Sequence, residues 1–127
     1  MSLLELANAY FSAIEARADL AAYFCTDVVQ HEFPNVLVRD GAIRDLEALQ
    51  EGQQKGKRVL LSEMYEIVNS LEDGDRSALE VIWTGRLAMP LGSLPVGGTL
   101  KAHFGVFLTF REGRICRQHN YDCFDPF

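Results

Sequence analysis

The last ten residues of regular pattern, ICRQHNYDCF (Ile115–Phe124), hold the side chains best suited to chemistry. Strand side chains alternate faces with period two, so Cys116, Gln118, Asn120 and Asp122 share one face, and Arg117, His119 and Tyr121 the other. An acid among amides and apolar neighbours is a candidate proton carrier, because loss of water disfavours its charged form and raises its pKa toward neutrality. Gln118 and Asn120 could then donate hydrogen bonds to a carbonyl or enolate oxygen. His31 is the second candidate, as a group that changes charge near neutral pH; if its face is inward, it and Asp122 could meet across a cavity. Together these parts suit proton abstraction beside a carbonyl, followed by aldol-like closure or double-bond migration, with no cofactor. A plainer reading stands beside each: Asp122 as an acceptor of backbone or hydroxyl hydrogen bonds at a strand end, and His31 as a core or rim histidine.

The elements that must position these residues follow from pattern. Ser2 and Glu5 fit a capping box, and Leu3, Ala7, Phe11, Ile14 and Ala18 recur at helical spacing. Asp19 caps a second, short helix to about Cys25, and Thr26–Phe33 has strand spacing before Pro34-Asn35 stops it. Asp40-Gly41 opens a third helix from Ala42 to about Gln53, and Gly52 to Lys57 reads as a polar loop. Four strands follow: Val59–Leu71, Ser77–Ala88, Thr99–Arg111 and Arg114–Phe124, joined by Glu72-Asp73-Gly74-Asp75, a Pro/Gly loop and Glu112-Gly113. This order predicts an α+β fold, a cone-shaped α+β barrel in which three N-terminal helices pack on a curved, mostly antiparallel sheet and enclose a hydrophobic pocket.

Length and charge bound the rest. The 127 residues suit one domain, 1–127, and the formal net charge of −6 offers no basic stripe for nucleic acid. No apolar run approaches the roughly 18 residues of a membrane span. Glu5 and Asn8 interrupt any signal layout, and Cys25, Cys116 and Cys123 lack CxxC spacing, which predicts reduced thiols in a cytoplasmic protein. His31, His103 and His119 lie on separate segments without HxH or HExxH spacing, so no metal site is expected.

The succession helix, short helix, TDVVQHEFPN, helix, four strands, with LEVIWTGRLAMPLGSLPVGG, FGVFLTFREGRI and RQHNYDCFDPF, resembles the ketosteroid isomerase-like superfamily, also called nuclear transport factor 2-like or SnoaL-like polyketide cyclase-like. The resemblance covers essentially the whole chain. It implies that the Asp122 face looks into the pocket, with Leu79, Val81 and Trp83 and with Phe104, Val106 and Leu108. It also implies Asp122 as the match to the catalytic aspartate of SnoaL-like cyclases, and Tyr10, Phe33, Trp83, Phe104, Leu108, Gln118 and Asn120 as ligand-binding residues. Ketosteroid isomerases use a tyrosine, an aspartate base and a protonated aspartate; those positions fall at Phe11, Phe33 and Val106, with Tyr10 and Glu32 one residue off, so that machinery is absent.

Two readings therefore remain. One is an isomerase, cyclase or dehydratase with Asp122 and His31 as acid/base groups on a cyclic or carbonyl-containing apolar substrate. The other is a non-catalytic small-ligand-binding or dimerisation module. Leu87, Phe107, Tyr121 and the apolar positions of Leu60–Val68 cannot all reach one cavity, which predicts a homodimer through the outer sheet face.

Overall fold

Alternation of apolar and polar residues from residue 60 onward dictates four strands, and a computed structural model, which describes residues 1–127, joins two earlier strands to them in one six-stranded sheet. In chain order the elements are α1 (Leu3–Glu15), a 3-10 turn (Ala21–Tyr23), β1 (Phe24–Glu32), β2 (Ala42–Arg44), α2 (Leu46–Val59), β3 (Leu60–Asp73), β4 (Arg76–Leu87), β5 (Thr99–Arg111) and β6 (Arg114–Phe124). The sheet order is β2-β1-β6-β5-β4-β3. Every pairing is antiparallel except β1 with β6, which runs parallel. The fold is α+β, and no helix is long and apolar enough to cross a membrane.

The capping box holds: Glu5 N donates to Ser2 Oγ at 3.1 Å and Ser2 N to Glu5 Oε1 at 3.3 Å. From there α1 lays Ala7, Tyr10 and Phe11 on the inward face of β4 and β5, where Leu79, Val81, Val106 and Leu108 are each at most 3% exposed. Burying a side chain of that size is worth about 2 kcal/mol, so this layer dominates the core.

The expected three helices become two α-helices and one short 3-10 turn, because Asp19 caps only Ala21 N before the chain turns extended. The helix expected from Ala42 begins instead at Leu46, capped by Asp45 through Ala48 N at 2.9 Å. Ala42–Arg44 is a strand because it can pair with the edge of β1, Glu32 opposite Ala42 and Gln30 opposite Arg44. Gly41, at φ +67°, makes that approach possible: a Cβ there would stand 2.6 Å from Glu32 O. The loop expected at Gly52–Lys57 is helical, since burial of Leu46 and Leu49 against the core outweighs two glycines that cost about 1 kcal/mol each.

The C-terminal aromatics pack on their own chain. Phe124 meets Trp83 and Phe104 edge-on at 6.0 and 5.9 Å, and Phe127 lies against Gly92 in the β4–β5 loop.

Candidate functional site

Between the inward sheet face and the two helices lies a cavity of about 320 Å³. Its polar wall comes from neighbouring strands: Gln30 and Glu32 of β1, Arg44 of β2, and Gln118, Asn120 and Asp122 of β6. Parallel pairing sets Gln30 beside Gln118 and Glu32 beside Asn120, so the two strands present one polar surface. Tyr10, Phe11 and Ile14 of α1 close one side. Leu49, Gly52, Gln53, Gly56 and Lys57 of α2 close another, and an added Cβ at Gly52 or Gly56 would meet nothing within 4 Å. These missing side chains leave open volume along that helix.

A hydrogen-bond chain runs along the β6 wall. The Tyr10 hydroxyl donates to Gln118 Oε1 at 3.1 Å, Gln118 Nε2 to Asn120 Oδ1 at 2.8 Å, and Asn120 Nδ2 to Asp122 Oδ1 at 3.5 Å. Burial pushes the Tyr10 phenol far above its ordinary pKa, so it stays a donor and fixes the direction of the chain. Each amide keeps a second N–H for a ligand oxygen. The chain ends on Asp122, which receives no backbone or hydroxyl donor; its one protein hydrogen bond is the long contact from Asn120. Burial, with the negative charge of Glu32, raises the Asp122 pKa from 3.8 to about 6, against smaller opposing effects of Asn120 and Arg44.

Glu32 itself is fully engaged. Its Oε1 accepts from Arg44 at 2.7 Å and its Oε2 from Asn35 Nδ2 at 2.8 Å. Arg44 also donates to Gln30 Oε1 at 3.0 Å, so one guanidinium ties β2 to β1 at the rim of the cavity. Across the cavity, Glu63 Oε1 accepts from the Tyr65 hydroxyl at 2.8 Å and from Trp83 Nε1 at 3.0 Å. Gly85 permits this, because the Trp83 ring lies where a Cβ on residue 85 would stand, 2.5 Å from its nearest ring atom. Burial first, and the Glu63 charge after it, hold the Tyr65 phenol well above its ordinary pKa.

Six of the residues singled out in the sequence line this cavity: Tyr10, Trp83, Phe104, Gln118, Asn120 and Asp122. Three do not. His31 and Phe33 lie on the opposite face of β1, because Val28, 1% exposed, commits its own alternation partners Gln30 and Glu32 inward. His31 stacks on Phe33 at 3.9 Å and lies beside His119 at 5.9 Å, so it cannot face Asp122 across the cavity. Leu108 points inward but is sealed in the core, 1% exposed. Cys116 also leaves the expected face. A bulge opposite Thr109 and Phe110 turns Ile115 inward and Cys116 aside, its thiol donating to Thr109 O at 3.4 Å.

The sequence reading missed Arg44, hidden in the misplaced helix, and Glu63 and Tyr65, whose period-two spacing with Ile67 was the available signal. Glu32, one residue from the position of the isomerase base, also lines the cavity. No three His, Cys, Asp or Glu side chains converge as a metal site.

No protein-family model matches the sequence, and no curated protein matches it closely. Solved structures do. AclR from Streptomyces galilaeus, described as a candidate hydroxylase, aligns at TM-score 0.77 and 16% identity over 98% of this chain and 83% of its own. IdmH from Streptomyces antibioticus, described as a candidate polyketide cyclase, aligns at 0.77 and 17% over 94% and 90%. A SnoaL-like polyketide cyclase from Agrobacterium tumefaciens aligns at 0.74 and 18% over 96% and 91%. Together with the helix order and the mixed sheet, these likenesses show that the chain has the fold of such SnoaL-like proteins, a ketosteroid isomerase-like fold.

Proposed function

We propose that this protein is a cofactor-independent isomerase or cyclase in which Asp122 moves a proton on a small, ring-bearing carbonyl compound. The observation that carries the reading is the state of Asp122: a cavity carboxylate with a pKa of about 6 and no backbone donor, at the accepting end of a directed hydrogen-bond chain. At neutral pH most of it is ionised and able to accept a proton, while its conjugate acid is strong enough to return one.

The carboxylate takes a proton from the carbon beside the ligand carbonyl. The C–H electron pair becomes the enolate double bond, and the carbonyl pair moves onto oxygen, where the spare N–H groups of Asn120 and Gln118 stabilise it. Where the ligand is a β,γ-unsaturated ketone, protonated Asp122 then delivers the proton to the γ-carbon of the dienolate; the carbonyl re-forms and the carbon–carbon double bond moves into conjugation, which completes an isomerisation. Alternatively the enolate carbon attacks a second carbonyl, whose oxygen takes the proton, and a ring closes. The cyclase description of IdmH and of the Agrobacterium protein agrees with the second route. The ligand that suits the lining is amphipathic rather than wholly apolar, since charged and amide groups face Trp83 and Phe104.

The test is exchange of the α-protons of 1-tetralone in deuterated buffer at pH 6–8. The protein accelerates exchange, and Asp122→Asn, which keeps the shape and the acceptor oxygen, reduces the acceleration on the order of 100-fold or more. Equal exchange by both proteins would leave a binding module without proton transfer.

A second reading concerns assembly. The outer face carries a continuous aromatic strip: Phe33 stacks on Tyr121 at 4.4 Å, Tyr121 meets Phe107 edge-on at 5.9 Å, and His31 and His119 flank them. Phe107 is 52% and Tyr121 45% exposed. We infer that this strip joins two copies of the chain sheet to sheet.

A further inference from the structure

Glu63 has one oxygen to spare. Both hydrogen bonds from the aromatic donors Tyr65 and Trp83 end on Oε1, and Oε2 has no protein partner. The carboxylate lines the same cavity as Asp122 but stands on β3, the edge strand three places from β6. It is held there by construction. The register shift between Leu60 and Ser62 turns Glu63 inward opposite Gly85, over which the Trp83 ring reaches it. Tyr65 is stacked on Phe11 at 4.7 Å and Trp83 on Phe104 at 5.5 Å, so neither donor can swing away without breaking aromatic packing. No cation of the lining is in direct contact with it: Arg44 is paired with Glu32, and neither Arg17 nor Lys57 forms an ion pair.

A half-buried carboxylate with a fixed orientation and one unoccupied oxygen is an acceptor waiting for a donor. We propose that Glu63 Oε2 accepts a hydrogen bond from a hydroxyl of the ligand, so that the substrate class is a hydroxylated ring ketone, its carbonyl at Asp122 and Asn120 and its hydroxyl at Glu63. A neutral donor fits better than an ammonium group. The lining already balances three carboxylates (Glu32, Glu63, Asp122) with three cations (Arg17, Arg44, Lys57). The aromatic rings between the two polar ends supply the flat surface that a fused ring needs. Glu63 acts in binding and orientation, and this inference rests on the proposed placement of the carbonyl at Asp122.

The experiment compares two ligands of nearly equal shape, 6-hydroxy-1-tetralone and 6-methyl-1-tetralone, by quenching of Trp83 fluorescence at pH 6.5. The wild-type protein binds the hydroxy compound about tenfold or more tightly, as expected for a hydrogen bond to a charged acceptor. Glu63→Gln, which keeps the acceptor for Tyr65 and Trp83 but places an N–H where Oε2 stood, abolishes the preference and leaves the methyl compound within about twofold. That second value guards against a mere folding defect; Glu63→Asp, which keeps the charge but withdraws the oxygens, must show the same loss. Asp122→Asn retains the preference. Equal affinity of the wild type for both ligands, or an unchanged preference in Glu63→Gln, overturns the role of Glu63 and leaves the Asp122 reading standing. Failure of both tetralones to bind at millimolar concentration overturns both.

Discussion

Toward their C-terminal ends, the two faces of the β1–β6 pair reverse the usual rule. Facing the interior are Gln30, Glu32, Gln118, Asn120 and Asp122; facing outward are Phe33 and Tyr121, flanked by His31 and His119, with Phe107 of β5 beside them. On β4 and β5 the interior takes Leu79, Val81, Val106 and Leu108, as burial demands. Interior polar groups lose water and must be compensated, and exposed aromatic rings gain nothing in a monomer. Phe24, Val28 and Ile115 keep the first halves of β1 and β6 in the ordinary pattern, so the inversion is confined to their last residues, where the proposed pocket and the proposed dimer surface lie back to back. One physical cause also acts on both with opposite signs. Loss of water raises Asp122 inside and, aided by His31 and Arg117, lowers His119 outside, so each side favours its neutral form.

The largest effect expected is on the outer face. Phe107→Lys combined with Tyr121→Lys sets charges at the centre of the aromatic strip, and we expect the dimer dissociation constant to rise by about 100-fold or more. Sedimentation velocity measures it, and tetralone binding inside the cavity stays as in the wild type. A wild-type protein that sediments as a monomer at tens of micromolar would break the comparison at its outer half.

The next effect is on stability, at the inner face. The folded state holds the Asp122 proton more tightly than the unfolded chain, with a pKa of about 6 against 3.8. Stability therefore falls as pH rises from about 4 to about 6 and is unaffected by this group beyond either limit. Asp122→Asn removes that loss. Chemical denaturation should find the variant more stable by about 3 kcal/mol at pH 7 and unchanged at pH 3. A variant less stable at pH 7 would mean that the carboxylate is stabilised by partners, which contradicts its isolation.

How much of this was legible in the sequence depends on how locally each feature is encoded. The β3–β6 strands and the Asp122, Asn120, Gln118 face were readable because alternation is a local signal repeated over many residues. The β1 face was not, since QHEF alternates two polar residues with two aromatic or ionisable ones and offers no apolar side to choose as inward. Only the commitment of Val28 to the core, with parallel pairing to β6 more than 80 positions away, fixes Glu32 inside and His31 outside. Arg44 was lost for a related reason. AIR carries no strand pattern by itself and becomes β2 through its partner edge on β1. Cys116 was misplaced by a bulge, which shifts alternation by one residue without any composition signal.

The smallest effect expected sharpens the inner face most. Arg44 and Glu32 form one ion pair at 2.7 Å yet act on Asp122 in opposite directions, Glu32 raising its pKa and Arg44 lowering it. Removing either charge breaks the same ion pair; Arg44→Met also strips Gln30 of its donor, and Glu32→Gln disturbs the contact from Asn35, so each variant damages the rim by one further hydrogen bond. The electrostatic consequences should be opposite. Arg44→Met leaves Glu32 without its counter-charge and moves the Asp122 pKa above 6, so the rising limb of α-proton exchange, which follows ionised Asp122, shifts to higher pH. Glu32→Gln removes the negative neighbour and shifts the same limb to lower pH. Carbon-detected NMR titration of the Asp122 carboxyl, read beside the exchange profile, measures both. Two shifts of opposite sign would establish that the pair sets the acidity of Asp122, whereas two shifts of the same sign would reduce Arg44 and Glu32 to a clamp between β1 and β2.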